Sequence, residues 1–121
     1  MLRLRPGPAA VGCAVAAARR FAGEGNAADR LAIITEEWVA NVVEHGRAPA
    51  ETLIVVTFER SGRTLRLVAS DAGLPFDPSR APPAGPNLQR GGGAGLAMIR
   101  AWCRVRYSRA HGRNRLDLEL V

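Results

Sequence analysis

The chain has 121 residues, 47% of them hydrophobic and 23% charged, which is enough for one domain with a two-layer core. Its formal charge is +6, yet all 17 basic residues are arginines scattered from Arg3 to Arg115 with few aromatics between them, which argues against a nucleic-acid-binding patch. The absence of lysine excludes a Walker A lysine, the strand lysine of eukaryotic-type kinases and Schiff-base chemistry.

In chain order, Leu2 to Arg5 alternates apolar and basic residues and predicts a short edge strand, broken by Pro6-Gly7-Pro8. An Ala-rich helix from Pro8 to about Ala22 follows, with Val11, Val15, Ala18 and Phe21 or Ala22 expected inward. Cys13 and Cys103 lack CxxC spacing and matching His pairs, so two reduced, mostly buried thiols in a cytoplasmic protein are expected rather than a zinc site. No apolar run is long enough to span a membrane.

Leu31 to Gly46 predicts the central helix, opening behind Asp29 as N-cap and stopping at Gly46. Leu31, Ile34, Trp38 and Val42, flanked by Val39 and Val43, form its apolar face. Glu37, Asn41 and His45 stand four apart and form a polar ladder. Taken alone, such a ladder is either a solvated face or a set of groups able to serve a metal and a proton transfer.

Thr52 to Arg60 and Thr64 to Ser70 read as strands of a hairpin turned by Ser61-Gly62-Arg63. The second runs straight into Asp71-Ala72-Gly73-Leu74-Pro75-Phe76-Asp77. Pro78 to Gly93 holds four Pro, four Gly and almost no apolar periodicity, the pattern of a functional lid or a disordered loop. Gly91-Gly92-Gly93-Ala94-Gly95 leads into a short helix from Leu96 to Cys103. Val105 to Ala110 and Leu116 to Val121 close the chain as a hairpin around His111-Gly112-Arg113-Asn114. The order predicts an α+β fold: a two-layer sandwich with a mixed, mostly antiparallel sheet and the helices on one face.

Three stretches carry a resemblance. ITEEWVANVVEHG resembles the N box of the histidine-kinase-like ATPase superfamily (the Bergerat fold), which includes gyrase and bacterial sensor kinases. DAGLPFDP resembles its first glycine box and GGGAGLAMIR its second. Within the superfamily the chain is most similar to the stand-alone anti-sigma-factor serine/threonine kinases of bacterial partner switching, whose N box ends in His-Gly as His45-Gly46 does here. The closing HGRNRLDLEL also resembles the last hairpin of that family.

The resemblance covers nearly the whole chain and implies a single ATPase domain over residues 1–121 with an ATP lid at about 74–94. It implies ATP or ADP and Mg²⁺ as cofactors, with Asn41 as the metal ligand and Glu37, rather than Glu36, as general base. Asp71 would accept the adenine amino group, and Gly73 would leave room for the base. Gly91, Gly92, Gly93, Gly95 and Leu96 would wrap the phosphates, and His45 and Phe76 would join the nucleotide site. Arg80 or Arg90 would supply further positive charge. The family commonly places a Thr near the phosphates in the last hairpin; here that contact would fall to Asn114, within Arg113-Asn114-Arg115.

The partners implied are an anti-anti-sigma (STAS-type) protein as phosphorylation substrate and a sigma factor or other output regulator. A homodimer is expected, with neither nucleic acid nor membrane as partner. Two other readings stay open at this point: a nucleotide-gated binding regulator without significant kinase activity, and a basic nucleic-acid-binding domain.

Overall fold

A computed structural model describes residues 1–80 and 94–121. Its elements are β1 (Leu2–Leu4), α1 (Pro8–Ala22), α2 (Asn26–His45), β2 (Ile54–Ser61), β3 (Thr64–Asp71), α3 (Ala94–Trp102), β4 (Cys103–Ala110) and β5 (Arg113–Leu120). The sheet order is β1-β2-β3-β5-β4, and every neighbouring pair is antiparallel. The α+β expectation holds, with the sheet wholly antiparallel among the described strands.

Burial alternates along β3 and places Leu65, Leu67, Ala69 and Asp71 on the inner face. Leu67, Leu116, Leu118 and Val56 there meet Leu31, Ile34, Trp38 and Val39 of α2 in one core. No helix among the described residues is long and apolar enough to cross a membrane.

Several boundaries differ from the sequence reading, each for a local reason. The inward stripe of α1 is Ala10, Ala14 and Ala18, spaced four apart, while Phe21 is exposed. Small side chains on that stripe let α1 approach α2 closely. The central helix begins at Asn26 with Gly25 as N-cap, more than a turn before the predicted start. Asp29 lies in its first turn, where a carboxylate suits the helix dipole, and pairs with Arg19 at 3.3 Å. Gly46 does not supply the left-handed residue that ends α2; its φ is −71°, and Arg47 takes φ +55°.

The last hairpin turns at His111-Gly112 alone, with φ +54° and +74°, so Ala110 pairs with Arg113. Positive φ at both central residues matches the strand twist of a two-residue hairpin. Strand β5 therefore starts three residues before Leu116, and Asn114 sits inside the sheet opposite Asp71.

Candidate functional site

The C-terminal end of β3, the end of α2 and the start of β5 meet at one corner. Asp71 ends β3 and is 3% exposed. Its Oδ1 accepts hydrogen bonds from the Gly73 N–H (2.8 Å) and from Asn114 Nδ2 (3.1 Å). The Gly46 carbonyl accepts the Leu74 N–H at 2.7 Å, tying the turn to the end of α2. A Cβ on Gly73 would lie 2.6 Å from that carbonyl oxygen and 2.9 Å from Asp71 Oδ1, so only glycine lets the turn close.

Asn114 is equally enclosed. Its Nδ2 also donates to the Leu74 carbonyl at 2.9 Å. Its Oδ1 accepts from the Tyr107 hydroxyl and from an Arg109 guanidinium N–H at 2.9 Å. The same Arg109 nitrogen donates to the Gly73 carbonyl at 2.9 Å. A tight crevice, too narrow in this structure to admit a water molecule, lies over Asp71 beside Trp38 and Phe76, whose rings stack with centroids 6.3 Å apart. The Trp38 indole N–H is buried in this wall and has no hydrogen-bond partner among the described residues. A flat aromatic wall over one buried carboxylate suits a planar base bearing an amino group.

The second half of the site lies further back along α2. Glu37 projects against the start of α3, where its carboxylate occupies the space a Cβ on Gly95 would need. Asn41, one turn on, is 3% exposed, so the polar ladder is not a solvated face. Leu96 is buried at 5% exposure and anchors the first turn of α3. The nine residue steps from Glu37 to Gly46 span roughly 13 Å of helix axis, enough to set a base pocket at one end and a phosphate site at the other.

Other predicted site residues fall differently. His45 ends α2 with Nε2 3.8 Å from Glu44, and nothing among the described residues links it to Glu37. Arg80 is largely exposed and pairs with Asp77 at 3.7 Å. Gly91, Gly92, Gly93 and Arg90, with most of the expected lid, lie outside the described residues. Asn114 belongs to the Asp71 corner rather than to the Glu37 end, so the departure from the family's Thr bears on the base side.

Four residues were missed by sequence reasoning. Tyr107 and Arg109 left no signal beyond strand alternation, and Trp38 read only as core. Arg100 of α3 donates to the Pro78 carbonyl at 3.2 Å and the Arg80 carbonyl at 3.4 Å, joining the end of the first glycine-box stretch to the end of the second. A wider groove of about 730 Å³ lies at the opposite end of the sheet, between the Phe21–Phe58 stack and the Glu59–Arg66 pair, and holds none of these groups.

An aromatic-walled crevice over a buried carboxylate, with a separate carboxylate–carboxamide pair near the start of α3, is the arrangement of a nucleotide-binding α+β domain. The chain belongs to the family of the histidine kinase-like ATPase domain, which matches residues 5–120, and such domains bind ATP. Solved structures agree on the fold. The blue-light activated histidine kinase of Erythrobacter litoralis EL346 is 17% identical with a TM-score of 0.59, over 95% of this chain and 41% of that one. The Acinetobacter baumannii histidine kinase AdeS is 13% identical with a TM-score of 0.53, over 99% of this chain and 67% of that one. The chain thus spans about two fifths of the length of the blue-light kinase. No curated protein matches it.

Among the described residues no three His, Cys, Asp or Glu side chains converge as a metal site. A Mg²⁺ ion carried by the nucleotide fits this donor set, because it takes phosphate and water oxygens and needs little more than the Asn41 carbonyl from the protein.

Proposed function

We propose that this domain is a Mg-ATP-dependent serine/threonine protein kinase of the anti-sigma type. In one state it sequesters an output regulator, a sigma factor or its equivalent. In the other it phosphorylates a STAS-type anti-anti-sigma partner, working as a cytoplasmic homodimer. The observation that carries the reading is the Glu37 carboxylate seated at Gly95 with Asn41 buried one turn away. A base and a metal-binding carboxamide are thereby held beside the start of α3, where backbone N–H groups favour phosphate.

Each residue then has a defined task. Asp71 Oδ2, which accepts no hydrogen bond among the described residues, takes the adenine amino group, while the stacked Trp38 and Phe76 rings wall the site beside it. Asn41 would hold a Mg²⁺ ion carried by the nucleotide, and such an ion would supply charge neutralisation for the phosphates. Glu37 accepts the proton of the attacking Ser or Thr hydroxyl. Gly95 keeps the start of α3 open to that carboxylate.

Acceptance by a hydroxyl of another protein is the chemistry of the anti-sigma branch that the sequence resembles. The His45-Gly46 ending of the N box favours the same branch. The test is incubation with Mg-ATP and a STAS-type partner, with phosphate transfer followed by mass spectrometry. One phosphate on a partner Ser or Thr is expected. Undiminished transfer by Glu37→Ala and Asn41→Ala variants would overturn the assignment, and saturable ATP binding with no transfer would select a nucleotide-gated binding regulator instead.

A further inference from the structure

Asn114 is surrounded so that its amide has only one workable orientation. On one side stand two donors, the Tyr107 hydroxyl and the Arg109 guanidinium. On the other stand acceptors: Asp71 Oδ1, the Leu74 carbonyl at 2.9 Å and the Gly73 carbonyl at 3.4 Å. Turning the amide over would face its oxygen to a carboxylate and two carbonyls, and its NH₂ to a guanidinium. Every one of those contacts would become repulsive.

The fixed amide decides what Asp71 can offer a ligand. A carboxylate oxygen has two lone-pair directions, and Oδ1 fills both, with the Gly73 N–H at 2.8 Å and Asn114 Nδ2 at 3.1 Å. Oδ2 alone is left for the cleft. An adenine edge asks for one acceptor, for its amino group. A guanine edge bears two adjacent donors, N1–H and the N2 amino group, and binds a carboxylate well only when both oxygens are available.

We infer that Asn114 is a specificity-determining residue that blocks Asp71 Oδ1 and so denies guanine its two-point contact, with Tyr107 and Arg109 as the positioning residues that hold the amide in place. The inference rests on the reading of the Asp71 cleft as the base site. Asn114 makes no base contact of its own, because both Nδ2 protons are taken by Asp71 and the Leu74–Gly73 carbonyls. Selectivity therefore comes from an occupied acceptor. A site that leaves a ligand donor without its acceptor discriminates strongly, because an unpaired buried polar group is costly.

The experiment measures equilibrium binding of ADP and GDP to the full chain, for the wild type and three variants. Wild type should favour ADP. Asn114→Leu, of similar size but without polar atoms, should lower the ADP-to-GDP affinity ratio about tenfold, chiefly by strengthening GDP binding. The Tyr107→Phe/Arg109→Met double variant, which leaves Asn114 in place but frees it to turn, should lower the ratio at least threefold. Because that variant alters half-exposed groups, it also serves if Asn114→Leu fails to fold. Equal weakening of both nucleotides, with the ratio unchanged in either variant, would overturn the inference and leave Asn114 a structural residue. Asp71→Asn separates the two levels of the argument. If it leaves ADP affinity intact, the base site lies elsewhere and the functional reading fails with it; if it abolishes ADP binding while the Asn114 ratio stays fixed, only the present inference fails.

Discussion

The Glu37 carboxylate occupies the place where a side chain at position 95 would begin. This contact crosses from α2 to α3 and brings together two sequence stretches nearly sixty residues apart. A Cβ at position 95 would push the end of the flexible Glu37 side chain aside. A Gly95→Ala variant should therefore change stability by no more than about 1 kcal/mol, since that side chain can rotate away and alanine suits the helix. It should lose most phosphoryl transfer, because the base is displaced. Adding Glu37→Ala should make the alanine at 95 more favourable to stability but restore no activity. A thermal-unfolding double-mutant cycle checks this, and strict additivity would show that the two positions do not touch.

Glu37 and Asn41 share one helix face but have separable roles. Glu37→Gln keeps the shape of the side chain and removes the proton acceptor. It should lower the transfer rate by about 10²–10⁴-fold while changing ATP affinity little. Asn41→Ala should instead weaken Mg-ATP binding and leave Mg-free binding nearly unaltered. Calorimetric titrations with and without Mg²⁺, beside single-turnover transfer rates, distinguish the two patterns. A Glu37→Gln variant that transfers at the wild-type rate would remove Glu37 from the chemistry.

How far the sequence reveals this site depends on the kind of signal each residue leaves. α2 is legible because Leu31, Ile34, Trp38 and Val42 repeat at helical spacing, and Glu37 and Asn41 follow from the same period. Strand β3 is legible because its burial alternates without a break up to Asp71. The start of β5 is not, since Arg113-Asn114-Arg115 has no apolar alternation and pairs only because a two-residue turn fixes its register. The cross-strand pairing of Asn114 with Asp71, and with it the roles of Tyr107 and Arg109, therefore required the tertiary structure. The start of α2 was misplaced because Asp29 has the chemistry of a cap, while the residue that caps is Gly25, which offers no side chain to read.

Trp38 lines the proposed base cleft, whereas Trp102, the last residue of α3, lies under the Arg30 guanidinium at 5.0 Å from the ring centroid. Their fluorescence should respond unequally to nucleotide. ADP binding should alter Trp38 emission, because a base entering the cleft changes the polarity around the indole and gives its N–H a new neighbour. Trp38→Phe should abolish most of the nucleotide-dependent signal, and Trp102→Phe should preserve it. A full signal retained in Trp38→Phe would place the base away from this cleft.

Cys103 and Cys13 should differ sharply in reactivity. Cys13 is exposed on α1, while Cys103 opens β4 at 7% exposure, and burial pushes its thiol up from 9.0 to about 12. Under native conditions near pH 8 a thiol reagent should modify Cys13 quickly and reach Cys103 only after denaturant is added. The same shift makes stability depend on pH. Below pH 9 the Cys103 thiol is protonated in both folded and unfolded chains, and its contribution is fully present. Between pH 9 and about 12 the unfolded chain releases the proton that the folded chain still holds, so stability falls through that window. Urea midpoints measured from pH 8 to 11 should decline more steeply for the wild type than for Cys103→Ala. Parallel declines in the two proteins would assign the alkaline loss to other groups.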